Sequence, residues 1–201
     1  RQIVREESID CEWTDRGLLL VYKSAKDFDG YKVTAELLKR EFAIDSVPYA
    51  GEAVKELEPS LKSGMAGGWH FPGDAHVRPD KLLAGLKRAI ERHGGVIREN
   101  VEVLSLKREG SRVASVETSQ GSFTADEIVL ATGAEAPQFA KAMGCRLPIQ
   151  PGKGYSLTMQ PLRNQPKIPM IFEEHHVAVT PLESGFRVGS TMEFAGYDRS
   201  I

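Results

Sequence analysis

The chain has very little cysteine: only Cys11 and Cys145 occur in 201 residues, far apart and in no ligand spacing. That excludes a disulfide framework, argues against a structural zinc site, and favours a reducing, cytoplasmic compartment. Long apolar runs are missing too. Nothing approaches the roughly 20 residues a membrane span needs, and the opening "RQIVREESID" is neither a signal nor a transit peptide. One-sided charge is also absent. Twenty-six Lys and Arg face 28 Asp and Glu for a net charge of -2, and the basic residues are scattered, so there is no footprint for nucleic acid. No internal repeat or low-complexity segment interrupts the chain.

What remains is an ordinary globular composition, 41% hydrophobic and 27% charged, long enough to bury a real core. "GLLLVYKS" (17–24) is a short apolar run with the character of a buried strand. In "KDFDGYKVTAELLKREFA" (26–43) the apolar positions recur at helical spacing. "GEAVKELEPSL" predicts a short helix ending near Glu58, because Pro59 disfavours helix before it. "PDKLLAGLKRAIERHGG" (79–95) is the clearest helix, with Pro79 in its first turn and a Gly pair to stop it.

Beyond it the period changes to two. "GVIRE" (95–99), "EVLSLKRE" (102–109), "RVASVETS" (112–119) and "GSFTA" (121–125) alternate as strands joined by tight turns. "EIVLATGA" (127–134) predicts a strand buried on both faces. "GYSLTMQPL", "PMIFEE", "HVAVTPL" and "GFRVGST" predict an antiparallel sheet in the last third. "GGWHFPGDAHVRPDKLL" (67–83) gathers Trp69, His70, Phe71, Asp74 and His76 between a strand and a helix. The reading is α+β: an antiparallel substrate-binding sheet with helices, plus part of an α/β nucleotide-binding layer.

Read in order, "PGDAHVRPDKLLAGLKRAIERHGG", "VLSLKREGSRVASVETSQGSFTADEIVLATGAEA", "LPIQPGKGYSLT" and "RVGSTMEFAGYD" resemble the FAD-dependent D-amino-acid oxidase superfamily, which includes glycine and sarcosine oxidases. Within it they are most similar to the small-subunit type of D-amino-acid dehydrogenase. The resemblance covers roughly residues 50–201; its set of motifs is specific, whereas "LATGA" alone is not. It implies FAD as cofactor and oxidation of an amino-acid or amine C–N bond by hydride transfer, the imino acid then hydrolysing to a 2-keto acid and ammonia. It also allows peripheral association of the parent protein with a membrane electron acceptor, at the inner membrane. The Gly-x-Gly-x-x-Gly turn that such proteins place against the pyrophosphate has no counterpart here, and the Arg that clamps the substrate carboxylate is expected outside these residues. The chain begins in a charged stretch without Met and stops abruptly at "GYDRSI". It therefore reads as an internal piece of a longer enzyme: residues 1–78 and 148–201 as two parts of the substrate-binding domain, and 79–147 as part of the FAD-binding domain. The expectation follows that it binds FAD poorly or not at all, and that the piece alone is inactive.

Candidate site residues follow from the same set. Val103 stands where the family has a strand residue whose backbone contacts adenine; a β-branched strand residue also simply packs. Thr132 and Gly133 end an apolar run, where α/β sheets expose backbone donors to cofactors; an ordinary capped turn reads the same way. Lys153 and Gly154 lie in "PGKGYS", which in the family returns beside the isoalloxazine ring, so Lys153 is a candidate for stabilising negative charge there. A solvated Lys in a Gly-rich turn is the plainer alternative.

His70, Tyr155, His175 and His176 are candidates for substrate contact, with His175 and His176 entering a strand and facing opposite sides; packed or exposed side chains are again the plainer reading. No third ligand accompanies the paired histidines, so no metal is expected. No catalytic residue stands out, as befits chemistry dominated by positioning. Two competing readings remain: a sarcosine- or glycine-type amine or 2-hydroxy-acid oxidoreductase of the same superfamily, and a non-catalytic module that holds a small carboxylate.

Overall fold

A computed structural model describes residues 1–198 and 200. In chain order the elements are α1 (Gln2–Glu6), β1 (Leu18–Tyr22), α2 (Ala25–Phe42), β2 (Val47–Ala50), α3 (Val54–Leu57), β3 (Gly67–Phe71) and α4 (Pro79–Arg92). There follow β4 (Val103–Glu109), β5 (Arg112–Thr118), β6 (Gly121–Phe123), α5 (Ala140–Met143), β7 (Lys153–Met159), β8 (Met170–Phe172), β9 (Val177–Leu182) and β10 (Gly185–Glu193). They form two compact units, Arg1–Gly94 with Gly154–Thr191, and Gly95–Lys153 with Met192–Ile201. The first division falls after Gly94, so α4 lies in the first unit, where Arg92 donates to the Glu7 carboxylate at 2.8 Å.

The first unit is built on a sheet of order β2-β3-β1-β8-β9-β10-β7. It departs from the expected antiparallel sheet where β1 runs parallel to β8, with Leu19 opposite Met170. Alternation along β1 splits the core in two. Leu19 and Val21 join Val54, Leu61, Ile168, Met170, Val179 and Phe186 on one face. Leu20 and Tyr22 join Phe28, Ala35, Trp69 and Phe71 on the other, beneath α2. That helix starts at Ser24, whose hydroxyl accepts the Asp27 N–H at 3.3 Å, and ends at Ala43 in the left-handed region. The buried Trp69 indole donates to Phe28 O at 3.0 Å, which pins β3 to α2.

The second unit holds the three-stranded antiparallel sheet β4-β5-β6. Two expected strands are not there. Residues 95–99 carry no strand; Val96 is 78% exposed and Asn100 follows at φ 57, so the alternating pattern has no neighbouring strand to pair with. Residues 127–134 likewise make no ladder among the described residues, and Val129 is 87% exposed. A strand buried on both faces needs a partner on each side, and here the run passes straight into a 3-10 helix over Gly133–Phe139.

Candidate functional site

In the first unit, strand register lines up one row of side chains across the sheet. Val47 pairs with His70, His70 with Leu19, Leu19 with Met170, Met170 with Val179, and Val179 with Val188. Directly paired residues share a face, so His70 stands on the Met170 face, two strand spacings or about 10 Å away. Trp69 and Phe71 lie on the opposite face. The His70 Nε2–H donates to Arg16 O at 2.9 Å, and its ring meets Tyr49 edge-on at 6.4 Å. The contact depends on Gly17, at φ 84, where any Cβ would collide with the imidazole and with Phe71 O.

On that face lies a pocket of about 320 Å³. Its floor is apolar: Leu61, Met65, Met170, Phe172, Val179 and Phe186, with Ser60, Lys62 and Asn164 among its polar members. Two loops shape one side, and the carboxylate of Glu58, 1% exposed, ties them together. It accepts N–H groups from Ser60 at 3.1 Å, Lys167 at 2.7 Å and Ile168 at 3.1 Å. The pocket-lining residues escaped sequence reading, because nonpolar strand residues announce a core and a ligand wall in the same way.

His175 and His176 belong elsewhere. Instead of entering a strand, Glu173–His175 form a 3-10 turn between β8 and β9, and His176 sits at φ 50, exposed like His175. The polar EEHH run closes this hairpin, so the strand alternation expected for the two imidazoles does not apply. Tyr155 and Gly154 lie on β7, Tyr155 half-buried and Gly154 exposed.

A second buried carboxylate was missed by sequence reasoning. Glu12, 7% exposed, accepts from the Ser184 N–H at 3.1 Å and from the Ser184 hydroxyl, and pairs with Lys81 at 3.0 Å and Arg78 at 3.8 Å. Burial raises its pKa, but the hydrogen bonds from Ser184 and Lys81 outweigh it and hold the carboxyl at about 2. Nearby, His76 Nε2–H donates to Pro181 O at 2.8 Å, leaving its buried Nδ1 without a partner. Burial lowers the pKa of this imidazole, against the raising effects of Pro181 O and Glu12. The arrangement clamps residues 12–14, the start of α4 and the β9–β10 turn: a buttress, with every carboxylate contact already used.

In the second unit, Val103 pairs with Thr118 at the start of β4. Thr132 precedes the 3-10 helix, and Gly133 takes φ 54 with no atom within 4 Å of where a Cβ would be. Lys153 donates to Ser200 O at 2.6 Å and pairs with Glu193 at 3.4 Å. Tyr197 donates to Ala134 O at 3.2 Å. Glu193 and Ser200 thus touch Lys153, and Tyr197 touches the turn after Gly133. No group of three metal-capable side chains occurs among the described residues.

The architecture can now be matched. Glycine oxidase from Geobacillus kaustophilus superposes with a TM-score of 0.85 at 22% identity, over 100% of this chain and 54% of that one. L-proline dehydrogenase from P. horikoshii gives 0.84 at 22%, over 98% and 54%. These superpositions define the fold as one shared with glycine oxidase and L-proline dehydrogenase. The family model described as FAD dependent oxidoreductase (DAO) matches residues 1–201, and the chain belongs to that family. It is 34% identical over 200 residues to a D-amino acid dehydrogenase of Paramagnetospirillum magneticum, covering 96% of this chain and 47% of the relative. It is 34% identical over 195 residues to one of Azorhizobium caulinodans, covering 92% and 46%. The chain spans about half the length of the curated relatives it matches. No helix among the described residues is long and apolar enough to cross a membrane.

Proposed function

We propose that the parent protein oxidises the C–N bond of a D-amino acid to an imino acid, which water hydrolyses to a 2-keto acid and ammonia. The observation that carries this is the apolar pocket on the sheet face: it suits an aliphatic or aromatic side chain, with Ser60, Lys62 and Asn164 among its polar lining residues. The relatives named D-amino acid dehydrogenase supply the substrate class. FAD, when bound, supplies the two-electron acceptor.

The residues present suit that cofactor. Gly133, left-handed and open, admits close backbone approach, and Thr132 and the N–H groups that open the 3-10 helix lack intrahelical acceptors. We assign Val103, Thr132, Gly133, Lys153 and Gly154 to the cofactor side, the Lys153 ammonium placing positive charge where negative charge develops. His70 and Tyr155 are assigned to substrate orientation. His175 and His176, exposed in their turn, keep at most contact with the substrate's distal end. Residues 1–78 and 148–201 supply the substrate-binding part, and 79–147 part of the FAD-binding one. By this reading residues 1–201 alone hold FAD weakly, the parent is cytoplasmic, and its acceptor is at the membrane.

Two assays test the proposal. Dye reduction by the full-length protein with D-alanine, sarcosine and glycine should favour D-alanine; turnover of sarcosine alone contradicts the substrate class. Residues 1–201 at saturating FAD should give no stoichiometric yellow complex, and such a complex contradicts the weak-binding claim.

A further inference from the structure

One wall of the apolar pocket is a loop and not a strand. Residues 59–65 lie between α3 and β3, and Leu61 and Met65 of this loop line the pocket. Both ends of the loop are fixed to the fold. Before it, the buried Glu58 accepts the N–H groups of Ser60, Lys167 and Ile168. After it, the Ala66 N–H donates to Tyr22 O at 2.9 Å, and Ala66 O accepts the Gly51 N–H at 2.7 Å.

The middle of the loop is held differently. Among the described residues, 62–65 are hydrogen-bonded only through Ser63 and Gly64, and only to Glu52 and Lys55 in the turn that opens α3. The Lys55 ammonium donates to the Ser63 hydroxyl at 2.9 Å, and the Glu52 carboxylate accepts the Gly64 N–H at 3.0 Å. Lys55 and Glu52 also pair with each other at 3.4 Å, their side chains 34% and 61% exposed. The Gly64 N–H, followed by Lys55 and Ser63, holds the Glu52 carboxyl below its usual range against slight desolvation. Contacts of this kind in water are individually weak and screened by salt. Gly64 itself turns at φ 90 with no atom within 4 Å of where a Cβ would be, so nothing packs against the backbone there.

We propose that residues 59–65 are a gate over the apolar pocket, latched shut by Glu52 and Lys55, and that ligands enter and leave beneath it. The inference rests on the reading that this pocket receives the substrate side chain. Releasing the latch lets Leu61 and Met65 lift from the pocket while Glu58 and Ala66 keep the ends of the loop in place. Shut, the loop closes apolar wall over the bound side chain and excludes water, as lids do. A bound ligand meets the same walls whether the latch is strong or weak, because the shut form stays the more populated one. Weakening the latch therefore changes the rates of exchange and leaves affinity nearly constant.

The test is a titration of the full-length protein with 4-methylpentanoate, which has an aliphatic chain and no C–N bond to oxidise, followed through the methyl signals of Met65 and Met170. Hydrogen exchange at Gly64 and Met65 reports the loop itself. We expect saturable methyl shifts in the wild type. In Glu52→Gln and in Lys55→Met, both the association and the dissociation rate should rise about fivefold, with Kd within about twofold and faster amide exchange at Gly64. Lys55→Arg, which still has a donor for Ser63, should stay near the wild type. Neither residue belongs to the core, so folding does not decide the result. Methyl shifts with exchange rates unchanged in both variants would overturn the gate and leave the pocket standing, as would weaker binding with an unchanged association rate. Absence of saturable shifts at Met65 and Met170 would overturn the reading of the pocket and the gate with it.

Discussion

The Glu58 carboxylate receives the Lys167 N–H at 2.7 Å across 109 positions of sequence. With Ile168 and Ser60 it makes three backbone contacts at the edge of the pocket, that to Ile168 buried and the other two part-buried. Removing the acceptor leaves these N–H groups dry. Glu58→Ala should cost roughly 3 kcal/mol of stability, read by denaturant unfolding. Glu58→Gln keeps the shape but presents an amide donor to a donor, and should cost about half as much.

Acid sensitivity should trace to Glu12. Its folded pKa, about 2, lies below the unfolded value of about 4.3. A depressed carboxylate contributes stability that is complete above the unfolded pKa and is lost as pH falls through the folded one. The wild-type protein should therefore lose stability between about pH 4.3 and 2, and Glu12→Gln should flatten that part of the curve while being less stable at pH 7. His76, whose imidazole is lowered chiefly by burial, has the same sign at higher pH. Its contribution is present above about 6.5 and falls as pH drops below it, so unfolding titrations of His76→Gln should lose the decline that begins there.

The size of the pocket should set side-chain preference. Met65 is half-buried on its wall, so Met65→Trp fills the cavity without opening the core. Michaelis constants for a bulky D-amino acid should rise at least tenfold, about 1.4 kcal/mol, while D-alanine changes much less. Equal losses for both would show that side chains bind elsewhere.

How much of this was legible in advance follows from which forces act locally. The helix over Pro79–Arg92 and the meander over β4-β5-β6 were readable because proline, glycine and the hydrophobic period all agree there. The Leu18–Tyr22 run was readable as a strand, but not its parallel pairing with β8, because pairing partners more than 140 positions apart leave no local trace. The runs at 95–99 and 127–134 carry strand composition without a strand, since a ladder needs neighbours the described chain does not provide. The positive φ of Gly133 was legible through glycine's tolerance of that conformation. Glu12 and Glu58 were not, because a buried carboxylate and a solvated one have the same letter; only the N–H groups that meet them differ.

Lys153 offers a cleaner functional test. If its charge acts on the reacting site, Lys153→Met should slow turnover roughly 100-fold with a smaller change in Michaelis constant, and Lys153→Arg should recover part of the loss. The Glu193→Gln control removes its ion-pair partner and should leave turnover within about threefold. Matching losses in Lys153→Met and Glu193→Gln would assign the lysine to structure instead.

The most direct test of the central claim is anaerobic flavin reduction in the full-length protein, with products identified. D-alanine should bleach the bound flavin and yield pyruvate and ammonia in equal amounts, with L-alanine, sarcosine and lactate far slower. Bleaching by sarcosine or by lactate without reaction of D-alanine would contradict it.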